Sequence, residues 1–233
     1  MAIASALITS TFGFASGFVG YYRRGLIDFY QARLFIIYTI PLAIIGALIS
    51  AHLAADLIRF LYGLMMLILV FYFLRRRDAI KNETSNTGKI QLTSRNGVVY
   101  VYNHFIPKKL SILIGGFFTG LLSTGVGEVT MPQLVKEGKI PVPVAAATSV
   151  FIVIATFFFA SITHVSHLIK HGGIEAVPWH LVCYTIPGVI IGGQIGPRLQ
   201  GRFSRPSMIK GISLVFFLVG LAMIWTTLRS YME

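Results

Sequence analysis

The sequence predicts an all-α polytopic membrane protein made of two inverted repeats. It would have six or seven transmembrane segments, a broken or re-entrant Gly-rich hairpin at 110–136 and a small cytoplasmic β-hairpin in the linker between repeats. Three observations carry this. The 233 residues are 55% hydrophobic and only 12% charged, with a mean hydropathy of +0.75, more apolar surface than a soluble globule can bury. The segment Tyr38-Thr-Ile-Pro-Leu-Ala-Ile-Ile-Gly46 is echoed by Tyr184-Thr-Ile-Pro-Gly-Val-Ile-Ile-Gly192, each inside a long apolar run, as in a duplicated unit. The basic residues lie almost wholly between or at the ends of the apolar runs.

Seven apolar runs follow one another at 1–22, 34–55, 57–74, 110–135, 144–169, 179–197 and 207–228. Each is near the roughly 20 residues a helix needs to cross the hydrocarbon core. The first has no Lys or Arg before it and no convincing cleavage site, so it reads as a retained helix. In the second and sixth runs, Pro41 and Pro187 stand at equivalent repeat positions and are expected to kink their helices, with a hinge role as the alternative. Ala43, Ala47 and Ala51, and again Gly188, Gly192 and Gly196, have the spacing of close helix packing. Cys183 is expected to be a small buried packing residue.

The fourth run differs from the others. Gly115 to Pro132 holds five glycines and a proline, poor chemistry for one straight helix. Two half-helices, 110–123 and 127–136, joined around Gly125-Val126-Gly127, fit better, with Pro132 near the end of the second. Irregular backbone at membrane depth survives only inside protein or beside a polar cavity, so this hairpin is expected to line the substrate path. The domain boundaries follow the duplication: a first, incomplete repeat at 1–75, a linker at 76–108 and a second repeat at 109–233. No counterpart of the Gly-rich hairpin precedes residue 1, and an incomplete N-terminus is the expectation. Within the linker, 89–102 alternates around Asn96-Gly97 and reads as a β-hairpin with a type I′ turn. A solvated tether is favoured for it over a docking or regulatory element.

The formal charge of +12 suggests nucleic acid, but topology explains it and no nucleic-acid partner is expected. If all seven runs span once, Lys and Arg divide 13 against 7 between the two sides, a weak bias. If the fourth run enters and leaves on the same side, the division becomes 17 against 3. That arrangement also inverts the second repeat, as alternating access by rocking of two halves requires.

Glu128 is the only acid inside an apolar run, and an intramembrane acid is a functional hypothesis by default. It would couple protons or contact substrate; the alternative is that it caps its own half-helix. Ser123, Thr124, Gly125, Gly127 and Thr130 lie where one half-helix ends and the next begins, a ready place for an anion. Thr148, Ser149 and Ser161, near Thr9, Ser10 and Ser16 of the other repeat, are hydroxyls a cavity between repeats could recruit, although most such hydroxyls bond the preceding turn. His164, His167 and His171 follow i, i+3, i+7 spacing. No acid or Cys accompanies them, so no metal is expected and His164 is the better candidate for a polar pathway.

These residues resemble the TauE/SafE family of sulfite exporters and related anion permeases. The stretch Gly120 to Pro132 is similar to the family's Gly-rich signature ending in proline, and Ala146-Ala-Thr-Ser149 to its A-x-A-T-S opening. Ala15-Ser-Gly17 with Tyr22-Arg-Arg-Gly-Leu-Ile-Asp28 resembles its S-G…R-x-G-x-x-D stretch. Val126 stands where the family usually has glycine, and Glu128 where it often has an apolar residue. The resemblance implies movement of sulfite, or of another small sulfur-containing or carboxylate anion, across a prokaryotic plasma membrane.

The leading expectation is a secondary transporter of a small anion in the cell (inner) membrane, not an enzyme. Its partners would be the anion and the lipid bilayer; it would need no cofactor, and a homo-oligomer is compatible with it. A channel is the nearest rival. The rival from another class is an intramembrane enzyme with Ser123 or Ser161 as nucleophile and His164 as base, which requires each pair within hydrogen-bond reach.

Overall fold

The computed structural model describes residues 2–75, 90–177, 179–199 and 205–232; part of the linker, including the first residue of its proposed hairpin, lies outside them. Eight helices occur in the described residues: α1 (Ala2–Arg24), α2 (Phe29–Ser50), α3 (Ala55–Arg75), α4 (Lys109–Leu122), α5 (Val126–Pro132), α6 (Val142–Gly172), α7 (Trp179–Leu199) and α8 (Arg205–Met232). A π-helical turn, Gln133–Glu137, continues α5. Every apolar run of the sequence falls on a helix, and the fourth alone is divided. Phe29–Ser50 and Val142–Gly172 are each long and apolar enough to cross a bilayer, while Lys109–Leu122 and Ser213–Arg229 are shorter apolar stretches.

Helix α2 starts before its apolar run does because Asp28, in extended conformation, caps it: Oδ1 accepts from Gln31 N at 2.9 Å. The break after α4 also has a local cause. Ser123 is left-handed at φ 57°, and Gly125 at φ 133° occupies a conformation that glycine alone adopts readily. Pro132 brings no N–H to the ladder, and the helix passes into i→i+5 bonding directly after it, with Gly138 N donating to Gln133 O at 3.0 Å.

Two compact units result. The first, Met1–Ala51 with Asn82–Arg198, contains α1, α2 and α4 to α7; the second, His52–Lys81 with Leu199–Glu233, contains α3 and α8. These units cut across the repeat boundaries expected from the sequence. In the first unit α2 packs on α4 and α6, α1 on α6, and α5 on α4 and α6. The α2–α4 contact is backbone against backbone: a methyl at Gly116 would lie 2.8 Å from the Thr39 carbonyl oxygen, and one at Gly120 would collide with the Ala43 carbonyl. Ala43 and Ala47 are buried there, as their spacing predicts. In the second unit a methyl at Gly63 would lie 2.9 Å from the Gly220 carbonyl oxygen, so α3 and α8 approach in the same way.

Helix α7 corrects one expectation. Added methyl groups at Gly188 and Gly192 would meet no described atom within 4 Å, so these residues do not serve packing within the described chain. The neighbouring Gly193 does, its added Cβ falling 3.0 Å from Ser16 Cβ of α1. Cys183 is exposed and not buried. Pro41 and Pro187 both lie inside continuous helices.

The echoed threonines bond helices far away in the chain. Thr39 of α2 pairs with Thr156 of α6, hydroxyl to hydroxyl at 2.9 Å, and its repeat equivalent Thr185 of α7 pairs with Thr9 of α1 at 2.8 Å. Each Tyr-Thr-Ile-Pro segment therefore bonds a helix from the other half of the sequence.

Strands β1 (Ile90–Thr93) and β2 (Val99–Tyr102) form the expected antiparallel hairpin, with Ile90 opposite Tyr102 and Thr93 opposite Val99. The turn is not type I′, which needs positive φ at both central residues. Only Gly97 has positive φ (79°), and the loop closes through Gly97 N to Ser94 O at 3.0 Å and Ser94 N to Val98 O at 2.9 Å.

Candidate functional site: the break between α4 and α5

A helix break leaves carbonyls at the end of one half and N–H groups at the start of the next, and each must be satisfied where water is scarce. Here side chains do it. Thr119, fully buried, receives Val126 N–H on its hydroxyl at 2.8 Å while donating to Gly115 O at 2.8 Å. Glu128, third residue of α5, reaches back so that Oε2 accepts Gly125 N–H at 3.0 Å and Oε1 accepts the Thr124 hydroxyl at 3.2 Å. Gly125 has no side chain to reciprocate, so this is the carboxylate half of a capping box. His164 Nε2 lies 2.8 Å from Gly120 O, a carbonyl at the end of α4, and 3.5 Å from Ser50 Oγ. Ser50 spends its own proton on Ala47 O, so both groups near Nε2 are acceptors and Nε2 carries the hydrogen.

The capping alternative thus describes Glu128 in this conformation. At the start of α5, where an anion cradle is expected, the Gly125 and Val126 amides are bound by Glu128 and Thr119. Unpaired polar groups lie one turn further on. Among the described residues, the buried side-chain atoms without a hydrogen-bond partner are Thr130 Oγ1, Gln133 Nε2, Gln133 Oε1 and Ser213 Oγ. Three of these four belong to one turn of the segment after the break. Thr130 is 0% and Gln133 5% exposed, and each group left unpaired costs about 1–3 kcal/mol.

The other candidates do not converge on this turn. Gly127 faces α6, where an added methyl would lie 3.3 Å from Val153. Ser149 donates to Ala146 O at 2.9 Å and lies 4.0 Å from Met131 Sδ, so it borders α5. Thr148 accepts Asp28 N–H at 3.0 Å, near the α1–α2 corner. Ser161 faces α1, 3.4 Å from the Thr11 hydroxyl; with Ser166 both line an open cavity of about 680 Å³ whose other walls, Ile8, Phe12, Phe158 and Ile162 among them, are apolar. Neither Ser123 nor Ser161 is a hydrogen-bond partner of His164. His167 and His171 stack on each other with centroids 4.2 Å apart, while His164 turns to α4.

A second buried cluster escaped the sequence reading. Asp28 is 6% exposed, and Oδ2 accepts from the Tyr102 hydroxyl at 2.9 Å and pairs with His104 Nε2 at 2.8 Å. Gln31 exchanges two bonds with the Phe105 backbone, Nε2 to O at 3.0 Å and N to Oε1 at 3.2 Å. The linker hairpin is therefore docked and not a free tether. Burial and the neighbouring carboxylate both raise the Tyr102 pKa above the ordinary tyrosine range. The signal available in sequence was the pair Asp28 and Tyr102, one in an expected loop and one at the end of an alternating strand; nothing in their spacing joins them.

With this geometry in hand, comparison with known proteins is informative. No solved structure matches the chain. It is 25% identical over 228 residues to the probable membrane transporter protein YunE of Bacillus subtilis (strain 168), a match covering 97% of this chain and 81% of that protein. The sequence profile of the sulfite exporter TauE/SafE family matches residues 1–223, nearly the whole chain, including both copies of the echoed segment and the α4–α5 break, and the protein accordingly belongs to the TauE/SafE family of membrane transporters.

Proposed function

We propose that this chain is a secondary transporter of a small anion, sulfite or another sulfur-containing or organic anion, multi-pass in the inner membrane. Its halves are inverted repeats, and the 76–108 linker lies on the cytoplasmic side. The observation that carries the reading is the interrupted helix held between α2 and α6, with unsatisfied polar groups just beyond the break, in a member of a transporter family. Interrupted helices at membrane depth are where secondary transporters place substrate. The reciprocal threonine pairs support two related halves, and the 17-to-3 division of basic residues supports the inversion.

In this reading Glu128 couples a proton to the cycle. Ionised, it holds the Gly125 amide and the Thr124 hydroxyl; protonated, it is a weaker acceptor and loosens the junction. Purified chain in proteoliposomes, assayed over a panel of sulfur oxyanions and small carboxylates with an imposed pH gradient, tests the whole reading. Accumulation against the anion's gradient is expected; movement only down it would assign a channel. Glu128→Gln should lose the pH-driven component, and a wild-type rate and pH dependence would remove Glu128 from coupling. For topology, Cys183→Ser followed by single cysteines at Lys109 and Glu137 should give labelling of both from the cytoplasmic side; opposite sides would sink the inversion.

A further inference from the structure

The unsatisfied groups of Thr130 and Gln133 form a set with a definite chemistry. The two residues are i and i+3 on one helical turn and so share a face. Other buried hydroxyls nearby have their partners: Thr39 with Thr156, Thr119 with Gly115 O and Val126 N, Ser149 with Ala146 O. Against that background, three unpaired atoms on adjacent turns mark a place where a partner from outside the protein belongs. The helix is widened there by the π-helical turn that begins at Gln133, a feature frequent at functional sites.

The set is neutral and has both signs of hydrogen bond. Thr130 offers a hydroxyl; Gln133 offers two N–H donors and a carbonyl acceptor, and this holds whichever way its amide is turned, since neither end is paired. A dianion could use the donors but would face the Gln133 carbonyl with no hydrogen to give it. The charged surroundings favour the same choice. Helix α5 contributes the Glu128 carboxylate, α6 has no charged residue from Val142 to Thr163, and the only one in α4 is Lys109 at its first position. The π-helical turn carries Lys136 and Glu137, the latter paired with Lys108 at 3.1 Å.

We propose that Thr130 and Gln133 contact the transported anion and select a singly protonated oxyanion over a dianion, the Gln133 carbonyl accepting the anion's hydrogen while the Thr130 hydroxyl and the Gln133 amide donate to its oxygens. This rests on the anion-transport reading above.

The test uses the full chain in nanodiscs, with binding of three probes measured by calorimetry: hydrogensulfite, sulfate as a dianion, and methanesulfonate as a monoanion with no acidic hydrogen. Hydrogensulfite should bind at least about tenfold more tightly than either of the others, as expected where a buried polar group is left unpaired by the wrong ligand. Thr130→Val and Gln133→Leu should each weaken hydrogensulfite binding about tenfold or more, while the unliganded thermal midpoint stays level or rises, because an unpaired polar group has become apolar. Thr130→Ser should restore affinity, and Gln133→Met serves if the leucine variant does not fold. Wild-type affinity in the variants, or a loss of affinity that only follows a falling midpoint, would overturn the assignment of the pair. Equal binding of methanesulfonate would overturn the selection of a protonated species. If the wild-type chain binds and moves none of the anions, the transport reading falls with it; if it moves sulfite and both variants move it equally well, the pair alone falls.

Discussion

The Thr119 hydroxyl is the point at which the α4–α5 junction can be probed most directly. Thr119→Val keeps the shape of the side chain and removes one oxygen. That oxygen is the acceptor for Val126 N–H at 2.8 Å, and both residues are fully buried, so no water replaces it. The hydroxyl's donated bond to Gly115 O matters less, because that carbonyl keeps a helical partner. The orphaned amide should cost about 1–3 kcal/mol. Taken near 2 kcal/mol, the loss corresponds to roughly 30-fold faster opening of the junction. Hydrogen–deuterium exchange followed by mass spectrometry on peptides covering Leu121 to Val129 should show that acceleration at Val126, with little change in α6. Thr119→Ser, which retains the oxygen, should exchange nearly as the wild type does. An unchanged rate in the valine variant would mean that the junction is held by something other than this bond.

Three further outcomes follow from the packing and the docked hairpin. Gly120→Ala forces a methyl into the Ala43 carbonyl, and should destabilise the chain in detergent by about 1–3 kcal/mol, read as a lower thermal midpoint. Asp28→Asn replaces the carboxylate that Tyr102 and His104 share, and should speed tryptic cleavage at the hairpin tip, Arg95, by about tenfold, the equivalent of about 1.4 kcal/mol. Because the folded pKa of Tyr102 is raised, its docking contact is fully present below the ordinary tyrosine range near pH 10 and is lost as pH rises through the raised value. An ultraviolet tyrosinate titration should therefore show a late-ionising tyrosine that Tyr102→Phe removes.

What could be read from the sequence was what depends on local patterning. Apolar runs located each helix, and five glycines with a proline marked a break around Gly125 to Gly127, slightly beyond the observed break between Leu122 and Val126. Glu128 stood out as an acid in an apolar run, and its capping role was one of the two readings its position allowed. The sequence reading stopped where chemistry depends on residues distant in the chain. Thr119 is an unremarkable hydroxyl until Val126 folds back on it, and Gln133 gains interest only because both ends of its amide are buried without a partner. Asp28 sits in a short turn, and its burial depends on a strand more than seventy residues away. Spacing also misled at Gly188 and Gly192, since a small-residue stripe states what could pack and not what does.

The α3–α8 unit bears on how the protein is made. Its two helices lie on either side of the linker, the broken hairpin, α6 and α7 in the chain, and their glycine-mediated contact forms only when Gly63 and Gly220 meet. Chains emerge from the ribosome at about 5–20 residues per second, so α3 must wait several seconds, while the linker, the broken hairpin, α6 and α7 are synthesised, before its partner arrives. Truncation anywhere ahead of α8 would leave α3 with its glycine surface uncovered, a ready substrate for proteases. Quality control of this protein would thus read whether α8 has joined α3.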